Sequence, residues 1–291
     1  MNAESCYACI CLTCSMFFVT ACRTVPQNRT ACQEPSVSVT EVQLKRDGSM
    51  KYAEYAKICT GQAKLYMNTG SRARNVVCIN AGHGTAGGEK VKTPCHPDRS
   101  PKYTDGTTKK GAIESYAISD GMELPDGSKE AFLNLTMACL LRDRLIAAGY
   151  SVLMIRETPD VQLDNISRTI LANTYADCHI SIHWDDTESD KGAFCCVAIH
   201  NPKYLSMEPV HSTWQKSEQL ASSLISALSR GGIQIWKNGL LEDDLTQISF
   251  SVIPTVDIEL GDKASDHSDA VFQIIADSML SGINDFFYNK R

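Results

Sequence analysis

Apolar residues crowd three short runs, Val76–His83, Cys178–His183 and Thr255–Gly261, each rich in β-branched side chains and each ending at a polar group or a glycine turn. Runs this short and this apolar predict buried strands of a parallel sheet. Between them the spacing changes to three and four. Phe132, Leu135, Ala138, Cys139, Leu141, Leu145 and Ile146 predict a helix over Lys129–Ala148 that Gly149 stops. Tyr150–Ile155 follows as a strand. Leu163–Tyr175 leads as a helix into Cys178–Ile182, Thr213–Arg230 leads past Gly231 and Gly232 into the strand Ile233–Trp236, and Ser268–Phe287 closes the chain as a helix. Tyr52, Tyr55, Ala56, Cys59 and Ala63 also fall at helical spacing, so a further amphipathic helix is expected over Met50–Met67. Alternation of this kind predicts an α/β fold. Its sheet should be mostly parallel and twisted, with helices on both faces and a ligand site at the carboxyl ends of the strands.

Two stretches break the alternation. Residues 84–128, rich in Gly, Pro, Thr and Asp, are long for a connection inside a compact domain and begin directly after His83, so they are expected to form one wall of a substrate cleft. At the other extreme, Cys6–Ala21 is an apolar run too short for a comfortable membrane span, and residues 1–22 read as an export signal. Val19-Thr20-Ala21-Cys22 resembles a bacterial lipobox, with Cys22 as the residue that would carry lipid; against it, Glu4 stands where a positive charge is usual. Residues 23–45 are polar, contain Pro26 and Pro35, and predict a flexible tether to a catalytic domain over 46–291. The expected location is the cell envelope, as an exported lipoprotein anchored to the membrane through Cys22, with plain secretion as the alternative.

Charge and cysteine content narrow the class. The net charge of -6 supplies no basic field, and no Lys/Arg cluster interleaves with aromatics, which excludes nucleic acid as a partner. Of 13 cysteines, five lie within the first 22 residues. The others, Cys32, Cys59, Cys78, Cys95, Cys139, Cys178, Cys195 and Cys196, form no C-x-x-C pair. Cys195 and Cys196 are adjacent on a strand and point to opposite faces, so buried free thiols are expected rather than a metal knot.

The chemistry collects at strand ends. His83 and His183 each close a strand, and two imidazoles with one carboxylate around an open position are the donor set of a catalytic zinc. Glu130, at the start of a helix, is the candidate third donor; an acid merely favoured by the helix dipole is the plainer alternative. Glu259 lies inside an apolar run, where a carboxylate is costly unless it is paired or sits at the open edge. Beside a metal-bound water it could serve as general base and then as general acid. Arg168 is expected to be structural, with a packed stem. His96, His179, His200, His211 and His267 are not expected to be ligands, His179 because it lies two pleats back from the edge. Asp257 shares the face of Glu259 and is a weaker candidate for a partner of a ligating imidazole.

Ile79-Asn80-Ala81-Gly82-His83-Gly84, Lys129-Glu130-Ala131 with Asn134-Leu135, and Ser181-Ile182-His183 occur in this order, joined by Ile155-Arg156, Val161-Gln162-Leu163, Ser167-Arg168, Ala172-Asn173 and Ala176-Asp177. From about Arg74 to Phe287 this pattern resembles the zinc-dependent N-acetylmuramoyl-L-alanine amidases of bacterial cell walls. The resemblance implies that His83, Glu130 and His183 bind one Zn2+ per chain and that Glu259 is the catalytic carboxylate. Peptidoglycan or its muropeptides would be the substrate, cut between the lactyl group of N-acetylmuramic acid and L-Ala. The chain departs from the pattern at Trp184-Asp185-Asp186, where Ala-Asn is usual, and at Gly261–Asp266, where an aromatic-Ser-Asn run is common. Trp184 is therefore expected to add an aromatic surface, and Asp185 and Asp186 charge, beside the metal. Two rival readings remain: another zinc amidohydrolase or carboxypeptidase acting on cell-wall peptides, and a peptidoglycan-binding protein of the same fold without turnover.

Overall fold

A computed structural model describes residues 37–70 and 74–288. Four strands buried along nearly their whole length form the middle of an eight-stranded sheet: β3 (Val76–Ala81), β6 (Ser151–Met154), β7 (Cys178–Asp185) and β10 (Thr255–Asp262). They lie in the order β6-β3-β7-β10 and are parallel throughout. On one flank β2 (Gln62–Asn68) and β1 (Val37–Gln43) continue the sheet antiparallel; on the other, β8 (Ala193–Ala198) runs antiparallel to β10 and carries β9 (Ile235–Asp243) parallel to itself. The expected α/β sheet is thus present, with a parallel centre and antiparallel flanks. A separate hairpin pairs β4 (Lys92–Pro94) with β5 (Glu114–Tyr116).

Strand alternation sorts the side chains between two helical layers. Val77, Ile79, Ile180, Ile182, Val256 and Ile258 face α1 (Glu130–Ala147), α4 (Val210–Arg230) and α6 (Asp269–Tyr288), and they share one core with Leu141, Leu224 and Met279. Cys78, Leu153 and Ile155 face the other way, toward Leu171 and Ala172 of α2 (Asn165–Tyr175). On that second side α5 (Thr246–Phe250) places Phe250 against Ile166 and Ile170, and the short α3 (Pro202–Leu205) sets Tyr204 beside Phe194 and Cys196.

Helix ends follow from local chemistry. At the end of α1, the N–H of Tyr150 donates to Leu145 O at 3.0 Å and that of Gly149 to Ile146 O at 3.0 Å, with Gly149 at φ 95°. This reverse turn needs a residue without Cβ, which is why the helix stops where it does. Asp164 caps α2 by accepting from Ser167 N at 2.7 Å, and its other oxygen takes Lys57 N at 2.6 Å and Ile58 N at 2.9 Å.

Two expectations fail here. No helix spans Met50–Met67: Ala53–Tyr55 make a single 3₁₀ turn, and Gln62–Asn68 are β2. Tyr52, Tyr55 and Ala56 bury themselves as a loop against Ile166, Ile170 and Phe250, so their helical spacing reflects a shared target and not a helical face. Gly61 separates that loop from the strand at a point where a Cβ would lie 2.9 Å from the Gln162 backbone. The tether expected over 23–45 is also too long, because Val37–Gln43 pair with Gln62–Asn68 as β1. Residues 23–36, like the export segment 1–22 and Cys22, lie outside the described residues. No helix among the described residues is long and apolar enough to cross a membrane.

Candidate active site

The carboxyl ends of β3, β7 and β10 and the first turn of α1 meet at one rim, where they bring together His83, His183, Glu259 and Glu130. His83 sits just past β3 at φ 59°, followed by Gly84 at φ 72°. A left-handed histidine is uncommon and tends to mark a functional constraint. Its Nδ1 lies 2.8 Å from Ser119 O. A carbonyl can only accept, so Nδ1 carries the proton and Nε2 presents its lone pair inward.

That lone pair meets two others. His83 Nε2 is 2.9 Å from Glu130 Oε2, His183 Nδ1 is 2.9 Å from Glu130 Oε1, and the two ring nitrogens are 3.0 Å apart. Two imidazole nitrogens and one carboxylate thus converge, with one ligand atom of each within 4.8 Å of the others, and this is the donor set of a zinc site with an open position. Glu130 is positioned by Met122 N at 3.1 Å, Trp184 N at 3.2 Å and Asn134 Nδ2 at 3.1 Å. Burial works against its ionised form, but His83 and His183 outweigh it and hold the carboxyl well below the usual range. Burial likewise opposes a charge on His183, yet Asp257 and Glu130 raise it to about 10. The pocket favours positive charge, as a cation site must.

Room for this cluster comes from two glycines. A Cβ at Gly82 would stand 2.1 Å from Cε1 of His183, and one at Gly121 (φ 81°) would stand 2.6 Å from Cδ2 of His83 and 2.7 Å from Oε2 of Glu130. On the far side of His183, Nε2 lies 3.1 Å from Ser181 Oγ and 3.5 Å from Asp257 Oδ2. Asp257 also accepts from Gln247. It is therefore better placed beside the imidazole than its sequence context suggested. Glu259 aligns with His183 across the parallel pair β10/β7. Its Oε2 is buried without a hydrogen-bond partner, and burial pushes its carboxyl well above the usual range. The donor atoms of His183, Asp257 and Glu259 also lie within 4.8 Å of one another.

The family described as N-acetylmuramoyl-L-alanine amidase matches residues 77–285, more than half of the chain. The chain belongs to that family. The amidase is accordingly a hydrolase of amide bonds in peptidoglycan. Among solved structures it is similar to the N-acetylmuramyl-L-alanine amidase Ami1 from Mycobacterium smegmatis, with TM-score 0.61 and 19% identity over 76% of this chain and 100% of that one. Ami1 from Mycobacterium abscessus gives TM-score 0.60 at 18% identity, covering 74% and 99%. An N-acetylmuramoyl-L-alanine amidase from Clostridium difficile 630 gives 0.53 at 18%, covering 76% and 100%. At these identities the likeness is one of fold. No curated protein sequence matches significantly.

The amidase cleft has a volume of about 520 Å3, and residues of the 84–128 segment form much of its wall, as expected from its length and position. This segment is ordered by β4 and β5 and by one buried polar knot. Lys102 Nζ reaches Asp243 Oδ1 at 3.0 Å and Asp244 Oδ1 at 2.5 Å, and His96 Nε2 meets Asp244 Oδ2 at 3.2 Å. The knot ties the wall to the end of β9, and it accounts for His96 without a ligand role. Lys102→Met leaves buried carboxylates short of their counter-charge and is expected to destabilise the amidase by about 3 kcal/mol. The melting temperature should fall by roughly 6–12 °C, with faster proteolysis between residues 84 and 128. An unchanged melting temperature would show that the knot is not holding the wall.

The remaining candidates resolve by strand face. His179 is buried four residues back from His183 on the same strand face, with neither ring nitrogen bonded, and burial lowers its pKa to about 3. His200 pairs with Glu218, His211 bonds Leu205 O, and His267 bonds Asp262 O. Arg168 is structural, as expected. The expected aromatic surface at Trp184 is a correction: its ring is 2% exposed, stacked on Phe272 with centroids 5.4 Å apart and meeting His267 edge-on at 4.8 Å. It follows His183 by one position and so faces α6 through the opposite side of the sheet. Asp185 is paired with Lys191 and Asp186 with Lys263, so much of their charge is answered locally. Described cysteines are all free, five of them buried. Gly121, Ser119 and Gln247 were not foreseen; each reaches the site from a distant segment and carries no local signal.

Proposed function

We propose that His83 Nε2, Glu130 and His183 Nδ1 hold one Zn2+ and that Glu259 is the catalytic carboxylate of an N-acetylmuramoyl-L-alanine amidase. The bond cut is the amide between the lactyl group of N-acetylmuramic acid and L-Ala of the stem peptide. The observation that carries the reading is the convergence of two imidazole nitrogens 3.0 Å apart, each 2.9 Å from one oxygen of the Glu130 carboxylate, with Glu259 beside them. Zinc bound there would supply Lewis acidity and a water of pKa about 7. Glu259 would take the proton from the attacking water and return it to the departing L-Ala nitrogen. Its raised carboxyl suits a group that must hold a proton in mid-reaction. Asp257 and Ser181, facing His183 Nε2, would keep that nitrogen protonated and leave Nδ1 as the donor.

The test is release of new L-Ala amino termini from purified peptidoglycan. Release that a chelator stops and zinc restores is expected, and His83→Ala should lose both the metal and the activity. Cleavage elsewhere in the stem would favour the peptidase reading, and muropeptide binding without new amines would favour a binding protein. Stoichiometric zinc in His83→Ala would remove His83 from the ligand set. We further propose export and attachment to the membrane through lipid on Cys22, on the strength of Val19-Thr20-Ala21-Cys22 alone. The mass of the protein recovered from membranes decides it, an unmodified mature Cys22 being the contrary result.

A further inference from the structure

The turn that presents His83 rests on two guanidiniums, both essentially buried: Arg156 is 2% exposed and Arg168 0%. Their acceptors are all uncharged oxygens. Arg156 Nε donates to Ala81 O at 3.0 Å, Nη1 to Thr158 O at 3.1 Å, and Nη2 both to Gly82 O at 2.9 Å and to Ala131 O at 2.6 Å. Arg168 Nη2 donates to His83 O at 2.7 Å and Thr85 Oγ1 at 3.0 Å, and Nη1 to Asn80 Oδ1 and Ala81 O, each at 3.0 Å. The two cations thus share Ala81 O, and between them they hold each backbone carbonyl from Ala81 to His83.

Burying two like charges side by side without a directly bonded carboxylate is unfavourable. Burial lowers Arg156 to about 10 and, helped by repulsion from Arg156, Arg168 to about 9, so both remain cations at neutral pH. A core that needed only filling would be better served by apolar side chains. What guanidinium offers is a rigid planar fork that reads several carbonyls at fixed angles. Here three of those carbonyls, from Ala81 to His83, lead into the left-handed His83–Gly84 turn, a conformation that needs outside support. A further acceptor of Arg156, Ala131 O, lies outside that turn, on the helix that carries Glu130.

We propose that Arg156 and Arg168 are positioning residues for the metal. Arg168 locks the turn that aims His83 Nε2 inward, and Arg156 sets the distance between that turn and the first turn of α1, and hence between His83 and Glu130. The proposal rests on His83, Glu130 and His183 being the ligands.

The experiment measures zinc affinity, by competition with a chromophoric chelator, and the visible spectrum of the Co2+-loaded protein. Arg156→Lys and Arg168→Lys keep the charge but cannot reproduce the fork. Each is expected to weaken zinc binding roughly 10- to 100-fold and to change the intensity and position of the Co2+ bands. Met279→Ala, in the buried core of α6, is the control for lost stability and should keep both metal readouts. Arginine variants with wild-type affinity and spectrum would overturn the proposal, as would an equal loss in Met279→Ala. Should the lysine variants not fold, Asn80→Ala removes a single acceptor of Arg168 and is expected to weaken zinc binding to a smaller extent; unchanged affinity there also overturns it. Failure of the ligand reading itself looks different: wild-type protein would bind no metal, or His83→Ala would leave the Co2+ spectrum intact.

Discussion

Glu259→Gln is expected to bind zinc with wild-type stoichiometry while hydrolysing muramyl peptides roughly 100- to 10,000-fold more slowly, the span of general acid/base catalysis. The amide is nearly isosteric with the carboxylate and keeps the shape of the β10 edge, but it cannot accept and return a proton. The metal outcome is informative because Glu259 belongs to a second trio of donors with His183 and Asp257. His183 directs Nδ1 toward His83 and Glu130, and Nε2 toward Ser181 and Asp257. Only the first of these nitrogens points at the other two donors. On this ground we propose the proton, and not the metal, for Glu259. Metal content and turnover measured on the same preparation separate the two roles. Loss of zinc would make Glu259 a ligand, and undiminished turnover would make it neither.

Gly82→Ala should disable the site without removing any chemical group. Its new Cβ would lie 2.1 Å from Cε1, 2.3 Å from Nε2 and 2.6 Å from Nδ1 of His183, so the imidazole must move by about 1 Å to restore contact. The ring has no slack to give, since both nitrogens are engaged and Trp184, the next residue, is anchored in the α6 core. A displacement of that size in a preorganised site is expected to reduce turnover about 100-fold, with zinc affinity falling as well. Gly121→Ala combines the same kind of collision, against His83 and Glu130, with a left-handed backbone at φ 81°. Comparing these variants with an alanine at Gly106, where a Cβ meets nothing within 4 Å, isolates the steric effect. Wild-type zinc affinity in Gly82→Ala would mean that His183 can donate from another position.

The central strands were legible because apolar runs leave few alternatives when both faces are covered, and the helices α1, α2, α4 and α6 because their stripes are long. His83, Glu130, His183 and Glu259 stood out as polar groups at the ends or inside of such runs, and the structure brings all four together. The errors have a common origin. Tyr52, Tyr55 and Ala56 are buried by tertiary contact with Phe250 and α2, which no local period encodes. Trp184 was misread because its neighbourhood in the chain, beside His183, was taken for its neighbourhood in space, whereas strand alternation sends the two to opposite faces. Val37–Gln43 are largely exposed as the edge strand β1, so they lack the apolar signal of an interior strand. Asp257 gains significance only once Gln247 and His183 are seen on either side of it.

β10 is the last strand among the described residues, yet it lies inside the sheet between β7 and β8. During synthesis the three proposed metal donors, His83, Glu130 and His183, leave the ribosome well before Glu259. Until β10 inserts, the sheet lacks an inner strand and the cleft lacks its proposed proton-transfer group. Insertion of such a late, non-local strand is a slow, cooperative step. A nascent copy that has not reached β10 holds the three proposed metal donors but lacks the carboxylate proposed to move the proton. On the proposed roles, the order of the elements thus makes hydrolysis wait for the insertion of β10.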